Sequence, residues 1–233
     1  MWPSLHGSRV RDGSEVMQMS RTVLLCMAIA ILAAAGAPGK AAGGWEYRGR
    51  VEMSGPVERD LSLKLMTEVR SRNDLATHNE SHFDMGLEYN VRDWLSVGPY
   101  YRHVTASKNG EWTVEHRPHA DATLAWRSLG LEFSNRNRLE YRMLEGAEFF
   151  RLRLRLMLSA APGAVPGVKV YVSDEPFYDF RAGAFNKNRF IAGIDVKLLK
   201  TIKLGVNYVL DSTSSTGHWE DLNALALVLK YKP

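Results

Sequence analysis

The chain has 233 residues with 30 basic and 26 acidic side chains, which gives a formal net charge of +4 at neutral pH. This length fits one or two domains, and a hydrophobic content of 45% excludes an intrinsically disordered chain. The mean hydropathy of −0.25 argues against a helical membrane protein, because each helical span needs about 20 apolar residues in succession.

The first predicted element is a segment of 15 uncharged residues, 23–37 (VLLCMAIAILAAAGA), with an arginine before it and small residues after it. A basic flank, a short apolar core and a small-residue cleavage region indicate a secretory signal peptide, which we place at 1–42. The polar stretch before the apolar core is long for such a signal, so we predict that translation starts at Met17 or Met19. An uncleaved signal anchor is the alternative.

Cleavage after residue 42 removes Cys26, the one cysteine of the chain. The remaining segment, 43–233, can then form neither a disulfide nor a cysteine-based site. Cys26 lies near the start of the apolar core rather than after it, and this position argues against lipidation. The acidic and basic residues of 43–233 nearly balance, so we predict no nucleic-acid partner.

Alternation of apolar and polar residues dominates segment 43–233, and a period of two is typical of β-strands with two different faces. The clearest example is 151–158 (RLRLRLML), where one face carries four leucines and the other carries three arginines and a methionine. No convincing amphipathic helix interrupts the pattern. The candidate strands are 45–53, 60–70, 80–91, 94–105, 112–127, 129–142, 147–159, 167–174, 187–198, 201–211 and 220–231.

The two faces of these strands decide between two all-β architectures. In a soluble sandwich the apolar faces pack together and the polar faces meet water. In an outer-membrane barrel the apolar face contacts lipid and the polar face lines the lumen. Because the strands are long and their polar faces carry charges of both signs, we predict an antiparallel transmembrane β-barrel of ten to twelve strands, located in the bacterial outer membrane. A secreted or periplasmic β-sandwich or β-clam that binds a ligand is an alternative.

Connection lengths predict the topology of this barrel. Short connections alternate with longer polar ones, as in outer-membrane barrels whose long loops face outward. On this basis 60–70 pairs with 220–231 and closes a barrel within 60–233. The N-terminal segment 43–59 holds a possible first strand, which lies outside the wall of ten strands or belongs to a wall of twelve, because an even number is expected. The connections predicted to be long are 71–79, 105–111, 142–147, 175–187 and 211–219.

Several features indicate contacts at a membrane. Tyrosines and tryptophans near strand ends are typical of interfacial girdles. The apolar stripe within 225–231 resembles the assembly signals of outer-membrane proteins, although many of these end in Phe and this chain ends in Pro233. We therefore predict outer-membrane lipid, lipopolysaccharide and the barrel-assembly machinery as partners. The acidic and aromatic segment 174–181 (DEPFYDFR) is predicted to be a surface loop. The alternatives are a loop that folds into the mouth of the lumen and a loop that contacts lipopolysaccharide through divalent ions or Arg181.

Five stretches carry a resemblance to a known family: 137–142 (NRLEYR), 149–158, 175–178 (EPFY), 188–190 (NRF) and 220–231. They resemble the family known as domain of unknown function 2490, and the likeness spans roughly 45–231. The resemblance implies an outer-membrane β-barrel of a Gram-negative bacterium. It brings no agreed activity and no catalytic residues.

The charged faces of the predicted strands form the candidate site, which is rich in arginine. Since an isolated buried charge costs several kcal/mol, charges inside a narrow barrel must be paired or hydrated. We favour a structural ion-pair network that fills the lumen, and the alternative is a passive pore wall that selects small anionic or zwitterionic solutes. The predicted lumen-facing residues are Glu132, Arg136, Arg138, Glu140, Arg142, Arg151, Arg153, Arg155, Arg189, Asp195 and Lys203.

An outer-membrane hydrolase is a further alternative, with a His/Asp pair at the rim of the barrel. No nucleophile, zinc-protease or phosphate-loop motif supports it. His116 and His119 are three residues apart and so lie on opposite faces of a strand, which makes them poor partners for a metal. We therefore predict no enzyme activity, no metal and no cofactor. The candidate rim residues are His103, His116, His119, His218, Asp121 and Asp211.

Overall fold

The computed structural model describes residues 44–72, 78–108, 110–163, 165–215 and 217–233. The predicted signal peptide at 1–42 lies outside these residues. β-Strands make up all the regular secondary structure of the described part, and no helix in it is long and apolar enough to cross a membrane.

The described residues form eleven β-strands of 12 to 18 residues each. Their alternation of β-branched, aromatic and leucine side chains with charged ones suits an extended strand that has two unlike environments. The strands are β1 (Trp45–Pro56), β2 (Leu61–Arg72), β3 (His78–Arg92), β4 (Leu95–Lys108), β5 (Glu111–Ser128), β6 (Leu131–Leu144), β7 (Ala147–Ala160), β8 (Val168–Asp179), β9 (Ala184–Lys197), β10 (Ile202–Ser215) and β11 (His218–Tyr231).

The eleven strands close into one barrel in which neighbours in sequence are neighbours in space. Each sequential pair is antiparallel, so every step around the wall is a hairpin. The wall is closed by β1 and β11, which run parallel, with Trp45 opposite Asn223 and Met53 opposite Tyr231. The predicted all-β closed barrel is therefore confirmed.

The strand number corrects the predicted topology. Eleven lies within the predicted range, but it is odd, and neither even arrangement occurs. The strand predicted within 43–59 is part of the wall, and it separates 60–70 from 220–231, which do not pair. Alternation identifies a strand but not its partner, and the even-number rule assumes an antiparallel closure. A parallel closure removes that requirement.

Because the number of strands is odd, the first residue of β1 and the last residue of β11 lie at opposite ends of the barrel. β1 begins at Trp45, beside the connections that follow β2, β4, β6, β8 and β10. β11 finishes at Tyr231, beside the connections that follow β1, β3, β5, β7 and β9. We call these the Trp45 end and the Tyr231 end.

Most connections are shorter than predicted. The predicted loops at 105–111, 142–147 and 211–219 shrink to two-residue connections, because the strands continue through them. The longest connection, 161–167, lies at the Tyr231 end, where the sequence predicts short turns. Most of the predicted surface loop 174–181 belongs to β8. The polar residues of these segments misled the prediction, since inward charges such as Arg142, Glu175 and Asp211 form ion pairs inside the barrel.

One two-residue connection, Leu129-Gly130 between β5 and β6, has an unusual backbone. Leu129 has φ 53° and Gly130 has φ 76°. Two successive residues with positive φ are typical of the type I′ turn, which matches the twist of a hairpin. Leu129 is the one residue other than glycine with a positive φ among the described residues.

The two faces of the wall have inverted polarity compared with a soluble protein. On β7, Leu156 is 50% exposed on the outside, whereas Arg153 is 4% exposed on the inside. Buried apolar residues form only a small cluster around Val209, Ala224 and Ala226. The outer surface carries exposed large apolar side chains on every strand except β4 and β8, and the interior carries most of the buried charges.

Candidate functional site

The interior of the barrel holds a network of ion pairs, centred on β6, β7 and β8. Glu140 is fully buried and accepts from Arg151 Nη2 at 2.6 Å and from Arg153 Nη1 at 2.7 Å. Arg153 also donates from Nη2 to Glu175 at 2.9 Å, and Arg136 donates to the same carboxylate. Two carboxylates thus connect three arginines on neighbouring strands.

A second group lies on β3 to β6. Arg102 donates to Asp84 from Nε at 2.7 Å, and Arg138 binds Asp121 through both Nε and Nη2 at 2.7 Å. The His119 ring stacks on Tyr100 with 5.2 Å between ring centroids. Stacking and burial show that His119 belongs to the interior rather than to the rim.

A third group connects β1, β9 and β10. Asp211 accepts from Arg48 Nη2 at 2.7 Å and from Arg189 Nε and Nη2 at 2.6 and 2.8 Å. Arg48 also donates to Glu46 at 2.6 Å, and Lys187 lies 3.5 Å from Asp211. Because three cations surround it, Asp211 keeps a partner when any one of them is removed.

Ion pairing of this density has a simple physical cause. Removing one partner of a buried pair leaves an uncompensated charge and costs about 3–5 kcal/mol. Charged hydrogen bonds from guanidinium to carboxylate are also shorter and stronger than neutral ones. The interior charges are therefore tolerated only as a paired set, because each would be costly alone.

An interior cavity of about 300 Å³ lies toward the Trp45 end. Its lining comes from β2 to β10, nine of the eleven strands, which places it inside the barrel. Eight of its 14 lining residues are Arg or Lys, and two are carboxylates. The lining residues are Arg70, Glu80, His82, Arg102, Arg117, Arg142, Arg151, Arg153, Phe177, Asp179, Asn186, Lys187, Arg189 and Thr213.

The predicted lumen-facing residues divide into three sets. The structure brings six of them together in the three ion-pair groups, namely Arg136, Arg138, Glu140, Arg151, Arg153 and Arg189, and Arg142 pairs with Glu115. Glu132 and Asp195 pair near the Tyr231 end, with Lys169 and with Lys230. Arg155 has no ion pair within the described residues, and Lys203 is exposed and lies outside the network.

Sequence reasoning missed several residues of the network. Arg48 lies on the strand whose place in the wall was left open, and Glu175 and Phe177 lie in the predicted surface loop. The signal for β8 was present, because both residues continue the inward parity of Tyr171 and Ser173. Pro176 and the acidic composition obscured it. Other missed carboxylates that bind arginine include Glu46, Glu80, Asp84 and Glu115.

The candidate rim residues do not form one site. His103 and His116 lie on the outer face, where their rings are 5.3 Å apart and Tyr101 hydrogen-bonds to His116. His119 and Asp121 both lie inside the barrel in the second group, but the Asp121 carboxylate binds Arg138. Asp211 belongs to the third group, and His218 is the first residue of β11. Within the described residues no group of His, Cys, Asp and Glu could hold a metal ion.

Comparison with known proteins agrees with this fold. A family model described as "Protein of unknown function (DUF2490)" matches residues 47–222, which is most of the chain. The chain belongs to the DUF2490 family. No curated protein matches it in sequence.

The solved structures supply a fold neighbour for this DUF2490 protein. It is similar to a structure described as "NanC porin structure in rhombohedral crystal form", with a TM-score of 0.50 and 10% sequence identity. The alignment covers 76% of this chain and 91% of that chain. At this identity the likeness shows a porin-like barrel fold and nothing about the solute.

Proposed function

We propose that this DUF2490 protein is an outer-membrane β-barrel of a Gram-negative bacterium and a narrow passive pore for small solutes, with a preference for anions. The observation that carries the proposal is the inverted polarity of the wall. A surface of exposed leucine, valine and aromatic side chains around a charged interior suits lipid outside and water inside. The strands are longer than the roughly 9–11 residues that a tilted membrane-spanning strand requires.

The arginine-rich interior supports the preference for anions. Eight cations and two carboxylates line the cavity toward the Trp45 end, and rings of charged side chains select ions of opposite sign in channels. A barrel of eleven strands encloses a narrow lumen, and side chains occupy much of it. The solutes that pass are therefore small.

The proposal includes a route by which the chain reaches the outer membrane. The signal peptide at 1–42 would direct the chain across the inner membrane, and the apolar stripe of β11 would engage the barrel-assembly machinery. Lipid and lipopolysaccharide would then surround the outer face. This route is supported by the sequence pattern of each segment.

The test is conductance of the refolded chain in planar lipid bilayers. We expect small channels with a higher permeability for chloride than for potassium, and heat-modifiable mobility in gels. Arg153→Ala is expected to reduce the anion preference, because Arg153 lines the cavity. Lys203→Ala is the matched control, since Lys203 is exposed outside the network. Full solubility without detergent, or unchanged selectivity in Arg153→Ala, contradicts the proposal.

A purely structural barrel is the second candidate, and the density of the ion pairs favours it. Glu140, Glu175 and Asp211 each bind two or more cations, so much of the interior charge is already neutralised. A folded barrel that inserts into bilayers without measurable conductance would support this role.

A further inference from the structure

The cavity toward the Trp45 end presents cations to whatever enters it. The carboxylates Glu115, Glu140 and Asp211 neutralise five of the lining arginines but do not line the cavity themselves. The two lining carboxylates are also engaged, Glu80 by Arg70 and Asp179 by backbone N–H groups. A solute in the cavity therefore meets N–H donors more than acceptors.

Some of these donors have no acceptor within the described part of the chain. Glu115 accepts from Nε and Nη2 of Arg142, and Asp211 accepts from Nε and Nη2 of Arg189, which leaves the Nη1 groups. The Nε of Arg117 is buried without a hydrogen-bond partner, and Arg117 as a whole is only 9% exposed. A buried donor without an acceptor is costly, and an oxyanion supplies the acceptors.

Phe177 positions four of the lining cations without neutralising them. Its ring is 2% exposed and lies 4.6 Å from the guanidinium carbon of Arg153 and 5.2 Å from that of Arg151. Lys187 and Arg189 each lie 5.8 Å from the ring centroid. Cation–π contacts therefore hold these four cations near one another beside the cavity without adding an acceptor for their N–H groups.

We propose that this cavity is a binding site for small polyvalent oxyanions, the class of solute that carries two or more negative charges on closely spaced carboxylate or phosphate oxygens. Its volume of about 300 Å³ lies at the lower end of small-molecule pockets. The inference deepens the proposed function, since it names the solute class of the pore, but binding requires only that the barrel is folded. Arginine recognises both carboxylate and phosphate through paired N–H groups.

Binding is measured by isothermal titration of the full chain, refolded in detergent, with citrate and with inorganic phosphate as separate probes. We expect binding that weakens at high salt, because the attraction is electrostatic. Glycerol is the neutral probe and should not bind. Heat released by citrate alone assigns carboxylate ligands, and heat released by phosphate alone assigns phosphate ligands.

Two lining cations can be removed without leaving a carboxylate alone. Lys187 can go because Asp211 keeps Arg48 and Arg189, and Arg117 can go because Glu115 keeps Arg142. The double variant Lys187→Gln/Arg117→Gln is therefore expected to fold. It should bind the anion at least about ten-fold more weakly, equivalent to the loss of one charge-assisted hydrogen bond.

The matched control is Lys203→Gln, which removes one cation at the Tyr231 end and should leave binding unchanged. If the double variant unfolds, the single Lys187→Gln, whose amine lies 3.5 Å from Asp211, gives the same test with a smaller effect. Wild-type binding of neither anion, or a folded variant that binds as tightly as the wild type, overturns the proposal. Conductance separates the two proposals: a barrel that binds citrate but does not conduct keeps the site and loses the pore.

Discussion

Arg48 of β1 donates a hydrogen bond of 2.7 Å to Asp211 of β10, although β11 lies between the two strands. The Arg48 side chain can extend across β11 because β11 has only the small side chains of Ala224 and Ala226 on its inner face at this level, and both are buried. Parallel pairing is slightly less stable per residue than antiparallel pairing. The ion pair therefore reinforces the parallel contact that closes the wall.

Arg48→Met is expected to lower the free energy of unfolding by about 3–5 kcal/mol. Asp211 keeps Arg189, but Glu46 loses its 2.6 Å partner and remains buried. Urea unfolding of the refolded barrel, followed by tryptophan fluorescence, measures the change. Glu46→Gln/Arg48→Met removes both charges and should recover a large part of the loss. Equal destabilisation of the single and double variants would show that the charge of Glu46 is unimportant.

Gly98→Ala is expected to disrupt the contact between β3 and β4. A Cβ on Gly98 would lie 1.9 Å from the backbone oxygen of Leu87, and backbone cannot move away as a side chain can. We expect a loss of several kcal/mol or failure to refold, as in other overpacked sites. Gly49→Ala is the control, because its Cβ would meet only Val69 at 3.4 Å. Heat-modifiable gel mobility reports both, and a fully stable Gly98→Ala barrel contradicts the prediction.

Leu129→Asn is expected to stabilise the barrel by up to about 1 kcal/mol, because the left-handed conformation is costly for most L-residues and less so for asparagine. Leu129 has φ 53°, a conformation that asparagine adopts more readily than leucine, and its side chain is exposed. The midpoint of urea unfolding should rise without a change in slope. Leu199→Asn, at another exposed leucine near a turn, controls for the loss of the apolar side chain. A lower midpoint for Leu129→Asn alone would contradict the argument.

A polar pair on the outer face offers a test of lipid contact. Asp174 of β8 accepts a hydrogen bond of 2.8 Å from Asn188 of β9, between apolar neighbours such as Val172 and Tyr178 on the same face. If lipid surrounds this face as proposed, the double variant Asp174→Val/Asn188→Val should be at least as stable as the wild type, because a charge on the lipid face is destabilising.

The single variant Asn188→Val completes that test. It leaves the carboxylate of Asp174 without its amide partner, so it should be less stable than both the wild type and the double variant. The measurement is urea unfolding in lipid vesicles rather than in detergent. A double variant that is markedly less stable than the wild type indicates that water or protein, not lipid, meets this face.

The sequence was sufficient to predict the local structure and the two faces of most strands. The alternation in 151–158 predicted that Arg151 and Arg153 share one face, and both are buried in the barrel. It could not predict that Glu140 and Glu175 would bind Arg153 from the strands on either side, because register depends on pairing between strands. The exact number of strands could not be predicted from the sequence either.

The fate of segment 174–181 illustrates why polarity misled the loop predictions. Acidic residues usually mark exposed turns, since water is their most accessible partner. Here Glu175 meets arginines from two other strands, and Asp179 accepts from the backbone N–H groups of Arg181 and Ala182. In a barrel with a charged interior, acidic residues can be buried within strands instead of exposed in turns. Their partners lie on other strands, so they become apparent only in the tertiary fold.

The odd number of strands has a consequence for experiments on whole cells. If the barrel spans the outer membrane as proposed, a reporter fused before Trp45 and another fused after Pro233 would lie on opposite sides of that membrane, since the wall begins at the Trp45 end and finishes at the Tyr231 end. An impermeant label or an external protease would reach one of them and spare the other. In a barrel with an even number of strands, both reporters or neither would be accessible from outside. A pair of epitope tags on living bacteria therefore tests whether the number of strands is odd or even.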